Sequence, residues 1–197
     1  RNDPTNPRSL VSDSIFVLHA DHAGRLWVGT DRGLTRYEPR TDDFANDVTS
    51  TGALEGARVR ALLEDHTGAL WIGTFDGGLR RLNPQTGAVT VFRHDDNDPR
   101  TLSSDRVRAI MQDDAQRLWV ATSDGLNLFD YTSQTFVRYG RDADNPHSLR
   151  DDDVMALYQD RGGVLWVGTR AGGASHWSPK SWALGHYRSA LIGNNAV

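Results

Sequence analysis

The sequence predicts an all-β protein made of four repeated units, and three observations support this. A similar pentapeptide occurs four times, at Leu26–Thr30, Leu70–Thr74, Leu118–Thr122 and Leu165–Thr169. Its tryptophans stand at positions 27, 71, 119 and 166, which gives a nearly constant period. No segment shows convincing helical periodicity. A fixed period of this size is typical of repeat proteins, whose units bury apolar faces only against their neighbours.

The first half of each unit reads as a β-hairpin. In the second unit, residues 59–63 have the length and composition of a strand and end at the turn-forming Asp65. The following Asp-His-Thr-Gly segment suits a tight turn, because the Asp side chain can bond turn amides and Gly68 accepts a positive φ. The pentapeptide at 70–74 is then the second strand.

The second half of each unit adds two more strands. Residues 79–83 form the predicted third strand, which a Pro-Gln-Thr-Gly turn closes. Residues 89–93, and 136–139 in the third unit, form the predicted fourth strand. Four short antiparallel strands in a unit of this length are one blade of a β-propeller.

The whole chain is predicted to be a single repeat array without an internal domain boundary. The expected segments are a connector at 1–12, blades at 13–56, 57–104, 105–151 and 152–193, and the start of a further blade at 194–197. Because the chain opens on a connector and closes on the beginning of a unit, we expect four blades that form a partial, open arc of a larger propeller.

Composition narrows the classes of function. The net charge of −4 and the pI near 5.9 argue against a nucleic-acid partner, which needs clustered Lys and Arg. The absence of Cys excludes disulfides, thiolate catalysis and Cys-ligated zinc, and does not decide the compartment. No apolar run is long enough to span a bilayer. We therefore expect any membrane contact to be made by other parts of a parent protein.

Residues 64–79, which read EDHTGALWIGTFDGGL, resemble the two-component regulator propeller repeat, and all four units share the pattern. The third unit departs locally, with Gln116 at the hairpin glycine and Ala121 after Trp-Val. The resemblance implies a non-catalytic sensor module in the periplasm, part of a membrane-bound signalling protein and often dimeric. The output enzyme, a histidine kinase or diguanylate cyclase, would lie outside this chain.

The repeated polar residues predict structure rather than chemistry. The four aspartates six residues before each Trp occupy equivalent turns, whereas a catalytic pair requires one unique convergence of two groups. We expect the tryptophans to pack between blades and the threonines to bond the backbone. The histidines lack metal-ligand spacing, and the acidic connectors lack a calcium-loop frame. We therefore predict no catalytic residue, no metal site and no cofactor.

Ligand specificity is expected in the turns between the second and third strands, which differ between units. In a propeller these turns share one face with the inter-blade connectors, so they would surround one mouth of the axial channel. The candidate ligand-binding residues are Asp31, Arg32, Phe75, Asp76, Ser123, Asp124 and Arg170. They could bind a small polar or carbohydrate-like ligand or a second protein, or they could be exposed turn residues without a ligand.

Two other functions remain open from the sequence. Some lyases, such as streptogramin lyase, are propellers with similar blade motifs, and His147 with Asp151 or Asp153 is the candidate acid–base pair here. A purely structural dimerisation scaffold is the other alternative. We also expect the open arc to self-associate through apolar end faces that contain residues 15–18 at one end and residues 177–182 at the other.

Overall fold

The computed structural model describes residues 1–46, 52–177 and 184–187, the last as backbone only. Sixteen strands occur in these residues. The first sheet contains β1 (Ile15–Ala20), β2 (Leu26–Thr30), β3 (Leu34–Glu38) and β4 (Asp43–Ala45). The second contains β5 (Val59–Glu64), β6 (Leu70–Thr74), β7 (Leu79–Leu82) and β8 (Val89–Phe92). The third contains β9 (Val107–Gln112), β10 (Leu118–Thr122), β11 (Gly125–Asp130) and β12 (Thr135–Tyr139). The fourth contains β13 (Val154–Gln159), β14 (Leu165–Thr169), β15 (Ala174–Trp177) and β16 (Leu184–Tyr187).

Each sheet is one propeller blade, as the sequence predicts. Its four strands pair in chain order, and every pair within a sheet is antiparallel. The described segments include no helix that is long and apolar enough to cross a bilayer. The expected blade boundaries in the connectors, and the further blade at 194–197, remain predictions, and residues 194–197 lie outside the described part of the chain.

The blades form an open arc around the first strands. Strand β1 packs beside β5, β5 beside β9, and β9 beside β13. In the described residues, no strand of the first blade makes a contact of similar extent with the fourth blade. The predicted partial propeller is therefore confirmed.

Three apolar clusters hold the arc together, one at each interface between blades. Trp27 packs with Val59 and Leu62 of the second blade, and Trp71 packs with Val107 and Phe129 of the third. Trp119 joins the corresponding cluster with the fourth blade. These three tryptophans are at most 1% exposed. The fourth, Trp166, is only half-buried, because no described blade follows it.

The repeated aspartates have a second role besides closing the hairpin. In every blade one carboxylate oxygen accepts backbone N–H groups of the turn, and the other accepts the indole N–H of the Trp six residues later. The oxygen–nitrogen distances are 2.8 Å for Asp21 and Trp27, 2.6 Å for Asp65 and Trp71, 2.9 Å for Asp113 and Trp119, and 2.9 Å for Asp160 and Trp166. The aspartate thus satisfies a donor that inter-blade packing removes from water.

The repeated threonines bond the backbone, as expected. Each hydroxyl donates to a glycine carbonyl across the turn between the second and third strands. This bond fixes the shape of the turns in which the candidate ligand-binding residues lie.

One expectation about the end faces is wrong. Trp177 does not lie on the free side of the fourth blade: it is 7% exposed, and its ring centroid lies 5.0 Å from that of Trp119. The pairing of strands explains this, since Trp177 pairs with Leu165 as Phe129 pairs with Leu118. This position in the third strand faces the preceding blade. Trp182 lies outside the described residues.

Candidate functional site

The turns between second and third strands are tied to the start of the first strand in every blade. The first residue of each turn donates its backbone N–H to the carbonyl of the residue just before the first strand. These bonds join Asp31 to Ser14 (3.2 Å), Phe75 to Arg58 (2.9 Å), Ser123 to Arg106 (3.0 Å) and Arg170 to Asp153 (2.9 Å). The first turn residue therefore lies beside the innermost strands of the arc.

The seven candidate residues separate into two groups. Asp31, Phe75 and Ser123 are half-buried at the first turn position, and Arg170 is exposed there. The second turn residues, which are Arg32, Asp76 and Asp124, are exposed. The turn is also joined to the next blade's connector, since Gly78 donates its N–H to the carbonyl of Asp105. The first turn residues therefore lie beside the innermost strands. That either group binds a ligand remains a prediction.

Phe75 lies at the centre of a group of arginines. The guanidinium carbons of Arg58, Arg106 and Arg60 are 4.5, 4.6 and 5.4 Å from the centroid of its ring. Arg58 and Arg60 come from the same blade as Phe75, whereas Arg106 comes from the next. Cations at these distances are attracted to the negative face of an aromatic ring.

A bulge in each first strand turns one side chain toward the axis of the arc. The pairing register skips the second residue of β1, β5, β9 and β13. An extra unpaired residue of this kind redirects its side chain. We call these four positions the axial residues: they are Phe16, Arg60, Arg108 and Met155. Together with Val107 they line an open cavity of about 270 Å³.

The axial residues are not among the candidate ligand-binding residues predicted from the sequence. The signal was present, because the flanking positions are Ile or Val before and Val or Ala after in every unit, while the axial position varies. The sequence of a single strand did not reveal the bulge, because it does not show which residue is left unpaired. The pairing partner, which lies in the second strand, decides it.

Among the described residues, some of the arginines around the cavity have a carboxylate partner and others do not. Asp153 accepts from both Arg108, at 3.2 Å, and Arg170, at 2.7 Å. Arg60 stacks on Phe16 of the preceding blade, with its guanidinium carbon 3.7 Å from the ring centroid. Its Nε atom is buried and has no hydrogen-bond partner among the described residues. A buried donor without a partner is uncommon in folded proteins and requires an explanation, such as a bound water or ion.

The candidate lyase pair has other partners. Asp151 accepts the backbone N–H of Ala171 at 2.7 Å, and this bond lowers the pKa of its carboxyl. Asp153 is held by its two arginines. His147 is exposed in the connector before the fourth blade, where its backbone N–H donates to Asn145. The two carboxylates therefore contribute to the turn and the ion-pair network.

The hairpin histidines contact the following blade. His22 lies 2.8 Å from Glu64, measured from Nδ1 to Oε2, and His66 lies 2.7 Å from Gln112, measured from Nδ1 to Nε2. In the part of the chain that the structure describes, no three His, Asp or Glu side chains are grouped so that they could hold a metal ion.

Comparison with known proteins shows what the chain is similar to. An extracellular domain of a putative hybrid two-component system from B. thetaiotaomicron is 22% identical with a TM-score of 0.78, over 92% of this chain and 25% of that one. A second such domain from the same organism is 24% identical with a TM-score of 0.72, over 94% and 23%. Virginiamycin B lyase from Staphylococcus aureus is 10% identical with a TM-score of 0.64, over 88% and 55%. At these identities the likeness shows the fold alone.

The chain spans about a quarter of the length of the first two of these structures. Comparison with curated proteins gave no significant match. The family model of the two-component regulator propeller matches residues 9–32, 53–76, 101–124 and 148–171. Each match runs from the connector, through the Asp hairpin and the Trp strand, to the second residue of the turn that follows. The chain is therefore built from four repeats of the two-component regulator propeller family.

Proposed function

We propose that this chain is a non-catalytic segment of a sensor propeller, which binds a ligand or a partner and passes the signal to an output enzyme of a longer protein. The observation that carries the proposal is the family membership of all four repeats. The output would be a histidine kinase or a diguanylate cyclase in a membrane-bound protein. The two fold neighbours described as extracellular domains of hybrid two-component systems support this assignment.

The proposed location is the periplasmic side of the membrane. Both of these neighbours are extracellular domains, and the absence of cysteine is compatible with that location. To test this, an epitope tag is placed in this segment of the parent protein and protease is added to intact spheroplasts. We expect the protease to remove the tag. Protection of the tag until the membrane is lysed would contradict it.

The proposed ligand site is the mouth formed by the first turn residues and the axial residues. A small polar or carbohydrate-like ligand, or a loop of a second protein, would contact Phe75 and the arginines around it. Loops held on a rigid sheet scaffold are common places for binding, since the backbone fixes their position. Here the repeated Thr and backbone bonds supply that rigidity.

A lyase is the second candidate function, because virginiamycin B lyase shares the fold. The two functions differ in what they do to a bound molecule. We would titrate the full-length sensor region with a panel of sugars and oligosaccharides and follow each by calorimetry and by product analysis. Saturable binding without turnover supports the sensor. Turnover that disappears in His147→Ala would overturn it in favour of the lyase, and absence of both would leave a structural scaffold.

We also propose that the open ends of this four-blade chain associate with a second copy. Ile15 is 45% exposed, while its counterparts Val59, Val107 and Val154 are fully buried against the preceding blade. The Cβ built at Gly29 would lie 2.6 Å from Val59, so the glycine makes room for that valine. Among the described residues, Gly168 in the fourth blade has no such neighbour. Ile15 of a second copy would pack on Gly168 as Val59 packs on Gly29.

This proposed contact would lack one bond that the internal interfaces have. At each internal interface the last residue of the first strand accepts the N–H of the residue after the hairpin Asp: Glu64 from His22, Gln112 from His66, and Gln159 from Asp114. These acceptors are side-chain oxygens, and the counterpart in the first blade is Ala20, whose methyl side chain cannot accept a hydrogen bond. We therefore expect the end-to-end contact to be weaker than an internal interface.

A further inference from the structure

The axial cavity has an apolar side and a cationic side. Phe16 and Met155, from the first and fourth blades, are 40% and 41% exposed, which is high for large apolar side chains in a folded domain. Arg60 and Arg108, from the second and third blades, line the same cavity. All four are the unpaired bulge residues of their strands, so the backbone of every blade directs one side chain to the same volume.

Arg60 is oriented for an acceptor that the described residues do not provide. Its guanidinium lies over the face of Phe16, at 3.7 Å from the ring centroid. When the face of a guanidinium is covered in this way, its N–H groups point outward in the plane, where they can bind a carboxylate through two bonds. The buried Nε has no partner in the described residues.

Two further arginines near Arg60, Arg58 and Arg106, make this region more favourable for binding an anion. In the described part of the chain, no carboxylate oxygen lies within ion-pair distance of Arg58, Arg60 or Arg106. All three nevertheless converge on the ring of Phe75. Like charges brought together at a surface repel one another, and an anion placed among them relieves the repulsion. This cluster is notable in a chain whose net charge is −4.

We propose that the axial cavity binds a small organic carboxylate with an apolar body. The carboxylate would accept from the edge of the Arg60 guanidinium, and the apolar body would lie between Phe16 and Met155. Arg108 is already held by Asp153, which also pairs with Arg170, so these two arginines and one carboxylate together keep the surroundings of the cavity positive. This names a ligand class for the proposed sensor and rests on that role for its biological meaning. The binding event itself requires only this chain.

The test is a calorimetric titration of the chain with three probes. Benzoate has both the anion and the apolar body, benzyl alcohol has the apolar body without the charge, and acetate has the charge without the ring. All titrations are made at the same ionic strength, because exposed charges are screened by salt. We expect saturable binding of benzoate, with both other probes about tenfold weaker or more, the scale of one lost guanidinium–carboxylate interaction or one lost apolar contact.

Two variants and a matched control locate the site. Arg60→Gln should weaken benzoate binding about tenfold or more. Met155→Gln, at a position that is 41% exposed, should bring benzoate toward the affinity of acetate. Arg161→Gln removes the same charge from the hairpin at the opposite ends of the strands and should leave the affinity within about twofold.

The outcomes separate this inference from the proposed function. Absence of benzoate binding, equal binding of benzoate and benzyl alcohol, or an equal loss in Arg60→Gln and Arg161→Gln would each overturn the inference. A parent protein that fails to signal would overturn the sensor role and leave this binding result unchanged. Conversely, a sensor that responds to neutral sugars alone, with no benzoate binding here, would retain the role and reject this ligand class.

Discussion

The second and fourth blades contain nearly the same pentapeptide in different surroundings. All five residues of β6 are buried, whereas Trp166, Gly168 and Thr169 of β14 are half-buried. Trp71 meets Phe129 of the third blade with ring centroids 4.9 Å apart. No described blade follows Trp166. The pentapeptide therefore defines the position of a buried strand, and the following blade supplies the burial.

The face of each blade that packs on the preceding blade also differs in burial along the arc. Leu18 of the first blade is 60% exposed, while Leu62, at the same position of the second blade, is 9% exposed. Apolar burial is worth about 25 cal/mol per Å², so an identical residue type contributes very differently at the two positions. Stability in this fold should accordingly be concentrated at the three interfaces between blades.

The largest expected effect is at the central tryptophan. Trp71→Ala removes a fully buried indole and leaves the Asp65 carboxylate without that donor, so we expect a loss of about 3 to 5 kcal/mol in the free energy of unfolding. The matched variant Trp166→Ala should cost less than half as much, since that ring is half-buried. Urea unfolding measures both. Equal losses would mean that the following blade does not supply the burial.

The next effect is in the dependence of stability on pH. Burial acts to raise the pKa of the Asp65 carboxyl, but hydrogen bonds from Thr67, Trp71 and turn amides outweigh it and lower the pKa below 3.8. A lowered pKa in the folded state means that the stabilisation is present above pH 3.8 and is lost as pH falls through the folded-state value. Asp65→Asn should remove it, at a cost of about 1.5 to 3 kcal/mol at pH 7.

Asp160→Asn is the control for this measurement. The indole of Trp166 and two turn amides lower the pKa of the Asp160 carboxyl, but this residue is only half-buried, whereas Asp65 is buried. Its replacement should therefore change the pH profile less than Asp65→Asn does. We would follow unfolding by urea between pH 7 and pH 3 for the three proteins. Superimposable profiles of the two variants would contradict the difference between the blades.

Most of the fold could be predicted from the sequence, because the repeated Asp, Trp, Thr and Gly each act within one blade. The turn chemistry is local, and even Gln116, which stands where the other hairpins have Gly, adopts a φ of 62° like them. What the sequence did not reveal depends on pairing between strands and between blades. The bulges that direct Arg60 and Met155 to the axis are of this kind, and so is the side of the sheet that Trp177 faces.

A smaller effect on the free energy of unfolding is expected from adding one methyl group at the interface between the second and third blades. A Cβ at Gly73 would lie 2.5 Å from a methyl carbon of Val107, so Gly73→Ala should overpack the interface and destabilise by about 1 to 3 kcal/mol. At Gly168 the nearest atom of the described residues would be 3.6 Å away, which is ordinary contact, and Gly168→Ala should stay within about 0.5 kcal/mol of the parent. The native Ala121, which is fully buried beside Val154, shows that this fold accommodates the methyl group at one of its interfaces. A neutral Gly73→Ala would mean that Val107 moves freely, and that the interface is loosely packed.

The smallest expected effect is on the proposed end-to-end association. Leu18→Glu places a charge on the open face of the first blade and should weaken the dimer about tenfold in sedimentation equilibrium, whereas Val137→Glu, on an outer strand with similar exposure, should not. Ala20→Gln supplies the missing acceptor for the N–H of Arg161 and should tighten the dimer roughly two- to tenfold, the value of one net hydrogen bond. A parent chain that is monomeric across the micromolar range would reject the association. Equal responses to Leu18→Glu and Val137→Glu would place the contact elsewhere than on the face that an additional blade would cover.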